Sequence, residues 1–279
     1  KIKPFKLVID AANAMGALDL EALLGRLPQL AVTKLNFSLD GTFPAHEADP
    51  LKPENLRQLQ AAVKAEGADF GLATDGDGDR LFLVMENGLT LKPEILRGIL
   101  AQIVLRSHPG AKIGFDIRPG KATADMILEA GGEPFLTRVG HSLIKEKMLE
   151  VNSPFSGESS GHFFYRFPYG SFEAPIKLMA DFLTWLSGEE QPLSQLVARH
   201  DRYFHSGEIN SVVVDYDAVF TALSEKYHDA LSLNRLDGLT VEYADFWFNV
   251  RGSNTEPKLR LNLEAANEAI MIEKRDEVL

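Results

Sequence analysis

Cysteine is absent from this chain. That excludes disulfides and thiolate metal sites, and it fits a protein of the reducing cytoplasm. No apolar run approaches the length of a membrane span, and the opening residues show no secretory signal. Low-complexity segments are missing too. Positive charge is scarce: 29 Lys and Arg face 40 Asp and Glu, a formal net charge of −11. Such a balance speaks against nucleic acid or an anionic membrane as a partner. If an acidic chain is to bind an anion, it must gather its few cations in one place.

What is present is ordinary for a globular protein: 45% hydrophobic and 25% charged residues over 279 positions, a length that suits two or three domains. The pattern reads as repeated α/β units. A strand at 5–10 leads to a helix at 18–27. Pro53 and Gly67 bracket a second helix, proline at its start and glycine just past its end. Apolar residues at 95, 96, 99, 100, 103 and 104 have helical spacing and predict a helix over 91–106. The pattern breaks near Ser107-His-Pro-Gly110. A strand at 112–117 then begins a second unit with helices at 123–130, 141–150 and 174–187. A charged connector at 199–207 leads to strands at 210–215, 239–243, 246–250 and 259–264, with helices on either side of the first three. The expected fold class is α/β: two doubly wound α/β domains, 1–108 and 109–204, followed by a smaller α+β domain, 205–279.

Chemistry concentrates first in Thr74-Asp-Gly-Asp-Gly-Asp-Arg80. Alternate residues of an extended segment point the same way, so Asp75, Asp77 and Asp79 can converge on one hard cation. Gly76 and Gly78 give the loop room and backbone freedom. Arg80 sets a fork-shaped cation beside them, suited to phosphate. Apolar runs at 68–73 and 81–85 read as buried strands, and open α/β sheets carry ligands at the carboxyl ends of such strands. Three other readings compete. An EF-hand would use Glu86 at its last position, but it needs glycine where Arg80 stands. A metal-free acidic turn leaves three carboxylates repelling one another. A phosphatase with an aspartyl nucleophile would carry Thr or Val where this chain has Gly78-Asp79.

Two further loops are rich in polar groups. Ser156-Gly-Glu-Ser-Ser-Gly-His162 offers Glu158, Ser160 and His162 on a glycine-bounded turn. These can hydrogen-bond vicinal sugar hydroxyls, and either Glu158 or His162 could move a proton. Arg251-Gly-Ser-Asn-Thr-Glu-Pro-Lys258 lies between two strands. Arg251, Ser253, Asn254 and Thr255 with free backbone N–H groups form a phosphate cradle, or else a plain hairpin turn.

In this order the three loops resemble the α-D-phosphohexomutase family, phosphomannomutase/phosphoglucomutase and relatives, over essentially the whole chain. Val8-Ile-Asp-Ala-Ala-Asn-Ala-Met-Gly16, Phe43-Pro-Ala-His-Glu-Ala-Asp-Pro50 and Val139-Gly-His-Ser-Leu-Ile-Lys145 also resemble family segments. The resemblance implies that Asp75, Asp77 and Asp79 hold Mg2+, with the remaining ligand from a phosphoserine. It implies that Arg80 bridges this site to the transferring phosphoryl group, that Arg118 lies near the reacting oxygen, and that His141 lines the cleft. Glu158, Ser160 and His162 would grip the sugar, and Arg251, Ser253, Asn254 and Thr255 the phosphate that is not reacting. The implied activity is interconversion of hexose 1-phosphate and hexose 6-phosphate, of mannose and/or glucose, through that phosphoserine and a hexose 1,6-bisphosphate.

Family members carry the serine in a first domain, in a Thr-Ala-Ser-His-Asn-Pro type loop, and no such loop occurs in this sequence. Ser142 and Ser160 stand beside histidines, but in other contexts. The expectation is a portion comprising the second to fourth domains, inactive without a partner domain that carries the serine. Pro119-Gly-Lys121 and Ser171-Phe-Glu173 depart from the family pattern. A non-catalytic sugar-phosphate-binding protein and a magnesium-dependent phosphatase are the alternatives.

Overall fold

In the computed structural model, which describes residues 1–253 and 257–279, the chain builds three sheets in succession. The first unit comprises β1 (Lys6–Asp10), α1 (Gly16–Leu24), β2 (Ala31–Leu35), a 3-10 turn at Pro53–Leu56 continuing into α2 (Arg57–Glu66), β3 (Phe70–Thr74) and β4 (Leu81–Met85). β1 runs parallel to β2 and β3, and β4 returns antiparallel along β3. Both β3 and β4 are buried at every position, hence their continuous apolar runs. α2 stops at Gly67, whose φ of 59° is left-handed and costs glycine little.

The second unit repeats this plan. It comprises α3 (Pro93–Ser107), β5 (Lys112–Asp116), α4 (Lys121–Glu129), β6 (Glu133–Thr137), α5 (His141–Glu150), β7 (Phe155–Gly157), β8 (Phe163–Phe167), β9 (Gly170–Glu173), α6 (Pro175–Leu186) and α7 (Leu193–Ala198). Central β5 is parallel to β6 and β7, with β8 and β9 added antiparallel. The loop after β3 and the loop after β7 therefore occupy equivalent places. α3 packs on α4 and α6. One apolar core joins the two units: Phe70 of β3 meets Phe182 of α6 edge to face, ring centroids 5.5 Å apart.

The third unit is antiparallel: β10 (Phe204–His205), β11 (Ile209–Ser211), α8 (Tyr216–Lys226), β12 (Ser232–Asn234), β13 (Leu239–Glu242), β14 (Phe246–Gly252), β15 (Leu259–Ala265) and α9 (Glu268–Val278). Period-two alternation sends Phe246, Phe248, Val250, Leu261 and Leu263 into a core shared with α8 and α9. Asp215 and Asn267 cap those helices, accepting from Ala218 N at 3.0 Å and Ile270 N at 2.9 Å. Trp247, Asn249, Arg251, Asn262 and Glu264 point to the opposite face, yet all are buried.

Some local expectations are corrected. The strand expected at 210–215 is confined to Ile209–Ser211, because Val212 and Val214 have no neighbouring strand to cover them and are 79% and 105% exposed. Helices follow β11 and β15 rather than flanking the first three strands. The first helix begins at Gly16, ahead of the expected start. Half-buried β2 and β6 carry too mixed a pattern to be read as strands from sequence. No helix among the described residues is long and apolar enough to cross a membrane.

Candidate active site

The loop between β3 and β4 folds around Asp75. Its Oδ1 accepts from Gly78 N at 3.1 Å and Arg80 N at 3.2 Å, and its Oδ2 from Arg80 Nε at 2.5 Å. One carboxylate oxygen from each of Asp75, Asp77 and Asp79 lies within 4.8 Å of the others. A set of hard oxygen donors this close fits Mg2+ or a similar hard cation. The crowding is felt by Asp77: burial, then the charges of Asp75 and Asp79, push its carboxyl above the ordinary value. Gly78 takes a φ of 82°, and a Cβ there would meet Gly16 Cα at 2.7 Å, so the loop rests on the start of α1. Glu86 lies at the far end of β4, where it accepts from Ser194 N at 3.1 Å and from Ser194 Oγ. A strand follows the acidic loop where an EF-hand needs a helix.

The equivalent loop of the second unit, between β7 and β8, is stitched to the first. Arg80 and His162 form an antiparallel bridge, and Leu81 N donates to Gly161 O at 3.3 Å. Across this seam runs a chain of charges. His162 Nε2 is 3.3 Å from Asp79 Oδ1, and its Nδ1 is 3.0 Å from Glu158 Oε2. Glu158 Oε2 also accepts from Ser160 Oγ at 2.7 Å, while Oε1 accepts from Gly140 N at 3.1 Å and pairs with Arg118 Nη2 at 3.2 Å.

The protonation states follow. Burial opposes the Glu158 charge, but His162, Arg118 and Ser160 outweigh it and hold the carboxyl at about 2. Burial likewise opposes the imidazolium, yet contacts to Asp79 and Glu158 push His162 up to about 9. At neutral pH the two form an ion pair. That state suits gripping hydroxyls better than proton transfer at neutral pH.

Behind Arg118 sits Asp116, wholly buried at the end of β5. Its Oδ2 accepts from Arg118 Nε at 2.5 Å, and its Oδ1 from Arg97 Nη1 at 2.9 Å and Ser159 Oγ at 2.8 Å. Arg97 reaches it from α3 because Gly157 and Gly120 leave space; a Cβ on Gly157 would lie 2.8 Å from Arg97 Cδ. On the third unit, Arg251 is 3% exposed and pairs through Nη2 with Glu208 Oε2 at 3.0 Å. Its Nε is buried without a hydrogen bond among the described residues. Burial lowers the Arg251 pKa, Glu208 resists, and the like charge of Arg118 adds to the lowering. Arg251 thus keeps a buried donor unused among the described residues and feels the charge of Arg118, a setting for an anion.

Three family models match the chain in order. The phosphoglucomutase/phosphomannomutase alpha/beta/alpha domain II matches residues 1–88, domain III residues 92–203, and the C-terminal domain residues 208–279. This chain belongs to the phosphoglucomutase/phosphomannomutase family. It is 41% identical to the phosphomannomutase of Methanocaldococcus jannaschii, over 98% of this chain and 60% of that protein. It is 37% identical to the phosphomannomutase/phosphoglucomutase of Pseudomonas aeruginosa, over 95% of this chain and 58% of that protein. The crystal structure of a phosphoglucomutase/phosphomannomutase family protein from Burkholderia thailandensis superposes with a TM-score of 0.90 at 35% identity, covering 99% of this chain and 60% of that one. The chain therefore spans about three-fifths of the length of these relatives.

In this family member, Asp75, Asp77, Asp79, Arg80, Glu158, Ser160, His162 and Arg118 are joined by direct contacts or close approach. His141 opens α5 at an exposed position, and its side chain does not cap the helix. Ser253 N donates to Lys258 O at 2.8 Å, closing the last loop; Asn254 and Thr255 lie outside the described residues. The supporting segments also converge. Asp49 is 3.6 Å from Arg80 Nη1, and His46 Nε2 is 3.0 Å from buried Asp10. Sequence reasoning missed Arg97, Asp116, Glu208 and Glu264. An aspartate ending an apolar strand was the only sign of Asp116, and Arg97 gave none.

Proposed function

We propose that this chain forms the metal-, sugar- and phosphate-binding part of a phosphohexomutase that interconverts hexose 1-phosphate and hexose 6-phosphate, of mannose and/or glucose. The observation that carries the reading is the unbroken charge chain Asp79–His162–Glu158–Arg118, which joins the acidic loop to the Glu158–His162 loop.

Arg251, Ser253, Asn254 and Thr255 hold the phosphate that does not react. Glu158, Ser160 and His162 grip sugar hydroxyls. His141 stands at the cleft edge. Arg80 and Arg118 face the phosphoryl group that moves, where fixed cations offset charge that spreads over its oxygens. Asp75, Asp77 and Asp79 hold Mg2+, which when bound neutralises charge on that phosphoryl group. The phosphoryl donor is a phosphoserine on a domain outside the residues described, and a hexose 1,6-bisphosphate is the intermediate that turns over between its two ends. Ser160 is not that donor: its hydroxyl is committed to Glu158 Oε2 at 2.7 Å and His162 Nδ1 at 2.8 Å.

The test is conversion of mannose 1-phosphate or glucose 1-phosphate, with Mg2+ and a hexose 1,6-bisphosphate, by this chain alone and after adding a relative's serine-bearing domain. No turnover alone and recovery on addition are expected. Robust turnover by the chain alone would force a search for another nucleophile, and release of inorganic phosphate would favour the phosphatase reading.

A further inference from the structure

We propose that Glu264 is a positioning residue that sets the spacing between Arg118 and Arg251, and thereby selects ligands that bridge the second and third units. The inference rests on reading the cleft as a hexose-phosphate site.

Glu264 lies on β15 and is 1% exposed. Its Oε2 accepts from three donors: Gly120 N at 3.2 Å, Lys121 N at 3.1 Å and Trp247 Nε1 at 2.7 Å. The first two belong to the start of α4, immediately beyond Arg118, where a carboxylate also meets the favourable end of the helix dipole. The third belongs to its direct cross-strand partner on β14. Arg251 projects from the same face of β14 as Trp247, about 13 Å further along at 3.3 Å per residue. One carboxylate therefore ties the loop carrying Arg118 to the strand carrying Arg251.

Further along α4, Arg202 Nη2 donates to Glu129 Oε1 at 2.8 Å and Tyr203 Oη to Asp125 Oδ2 at 2.7 Å, from the segment just ahead of β10. A cavity of about 120 Å³ opens between the units, lined by Phe115, Ile117, Arg118, Leu136, Thr240 and Trp247. Side chains that do not interdigitate cannot fix a register by shape. The nearby Lys121–Glu242 pair is longer, at 3.4 Å, and Lys121 and Glu242 are part-exposed. Val139 N donates to Asp237 Oδ2 at 3.1 Å, a second tie between the units. At the start of α4 the directed bonds to β14 and β15 among the described residues are those of Glu264.

A consequence separates positioning from mere stabilisation. Inorganic phosphate needs only the loop of the third unit that carries Arg251, whereas a hexose phosphate touches that loop with its phosphate and the Arg118–Glu158 side with its sugar. Losing the tie should weaken the second and spare the first. The experiment titrates glucose 6-phosphate and inorganic phosphate calorimetrically into the wild-type chain, Glu264→Gln and Glu264→Ala, with thermal unfolding of each. Loss of one charge-assisted contact corresponds to about a tenfold weaker hexose phosphate, against less than about twofold for phosphate. Trp247→Phe, which removes one donor only, should shift the same ligand in the same direction by less. If the alanine variant does not fold, glutamine and Trp247→Phe carry the test. Equal losses for both ligands, or none for either, overturn the inference while leaving the site reading intact. A folded wild-type chain that binds no hexose phosphate overturns both.

Discussion

Arg97 and Asp116 form an ion pair of 2.9 Å in which neither side chain reaches solvent. Arg97 Nη2 donates on to Pro119 O at 2.8 Å and Nε to Thr123 Oγ1 at 3.0 Å, so the guanidinium is bonded on both sides. Burial lowers the Arg97 pKa, and the charges of Asp116 and Glu94 counter it. Asp116 in turn holds Arg118 and the sugar loop through Ser159. A structural pair thus lies directly beneath Arg118 and Ser159, beside residues proposed to hold the ligand.

Removing one partner of such a pair leaves the other charged and buried. Arg97→Met should destabilise the chain by about 3–5 kcal/mol in urea unfolding. A loss below about 1 kcal/mol would mean that Asp116 is fully served by Arg118 and Ser159.

Asp77 sits between two like charges in the loop proposed to hold a cation. Asp77→Asn should therefore raise stability in the absence of Mg2+, by about 0.5–1 kcal/mol, and weaken Mg2+ binding at least tenfold. Calorimetric titration with Mg2+ and thermal unfolding with and without it read the two effects, which have opposite signs. Unchanged Mg2+ binding would remove Asp77 from the ligand set.

Arg251→Ala should weaken hexose phosphates by about tenfold to a hundredfold, as befits one charge-assisted contact, and leave free hexoses unaffected. Glu158→Ala should instead blur discrimination among sugars. Equal effects of both variants on every ligand would mean that phosphate and sugar are not held by separate loops.

Acid should expose the Glu158 network. Its carboxyl is held at about 2 in the fold, against an ordinary value of 4.5. A depressed carboxyl contributes stability that is complete above the ordinary value and is lost as pH falls toward the folded value. The difference in unfolding free energy between wild type and Glu158→Gln should be on the order of 2 kcal/mol at pH 7 and shrink steadily below pH ~4.5. Urea titrations at pH 7, 4 and 3 measure it. A difference that stays constant across that range would show that packing, not charge, sets the contribution of Glu158.

The acidic loop and the Glu158–His162 loop were legible as candidate site segments because their chemistry is contiguous. Asp75 to Arg80 and Glu158 to His162 each carry several donors within one turn, and a short loop can present them together whatever surrounds it. The strands beside them were legible for a related reason, since β3 and β4 are apolar at nearly every position.

What only the tertiary structure decided is where isolated polar residues go. Arg97 interrupts an apolar helical stripe and looks like a solvated position; its partner Asp116 lies on another element, and pairing makes full burial of both tolerable. Trp247, Asn249 and Arg251 alternate with apolar residues as a solvent-facing strand would, yet all three are buried: Glu264 joins Trp247 to the second unit, while Asn249 and Arg251 bond to Thr240 and Glu208 of their own unit. Local periodicity reports only that one face of a strand is polar. Whether water or another part of the chain satisfies that face depends on donors that come together in space from distant positions, and one-dimensional spacing carries no record of them.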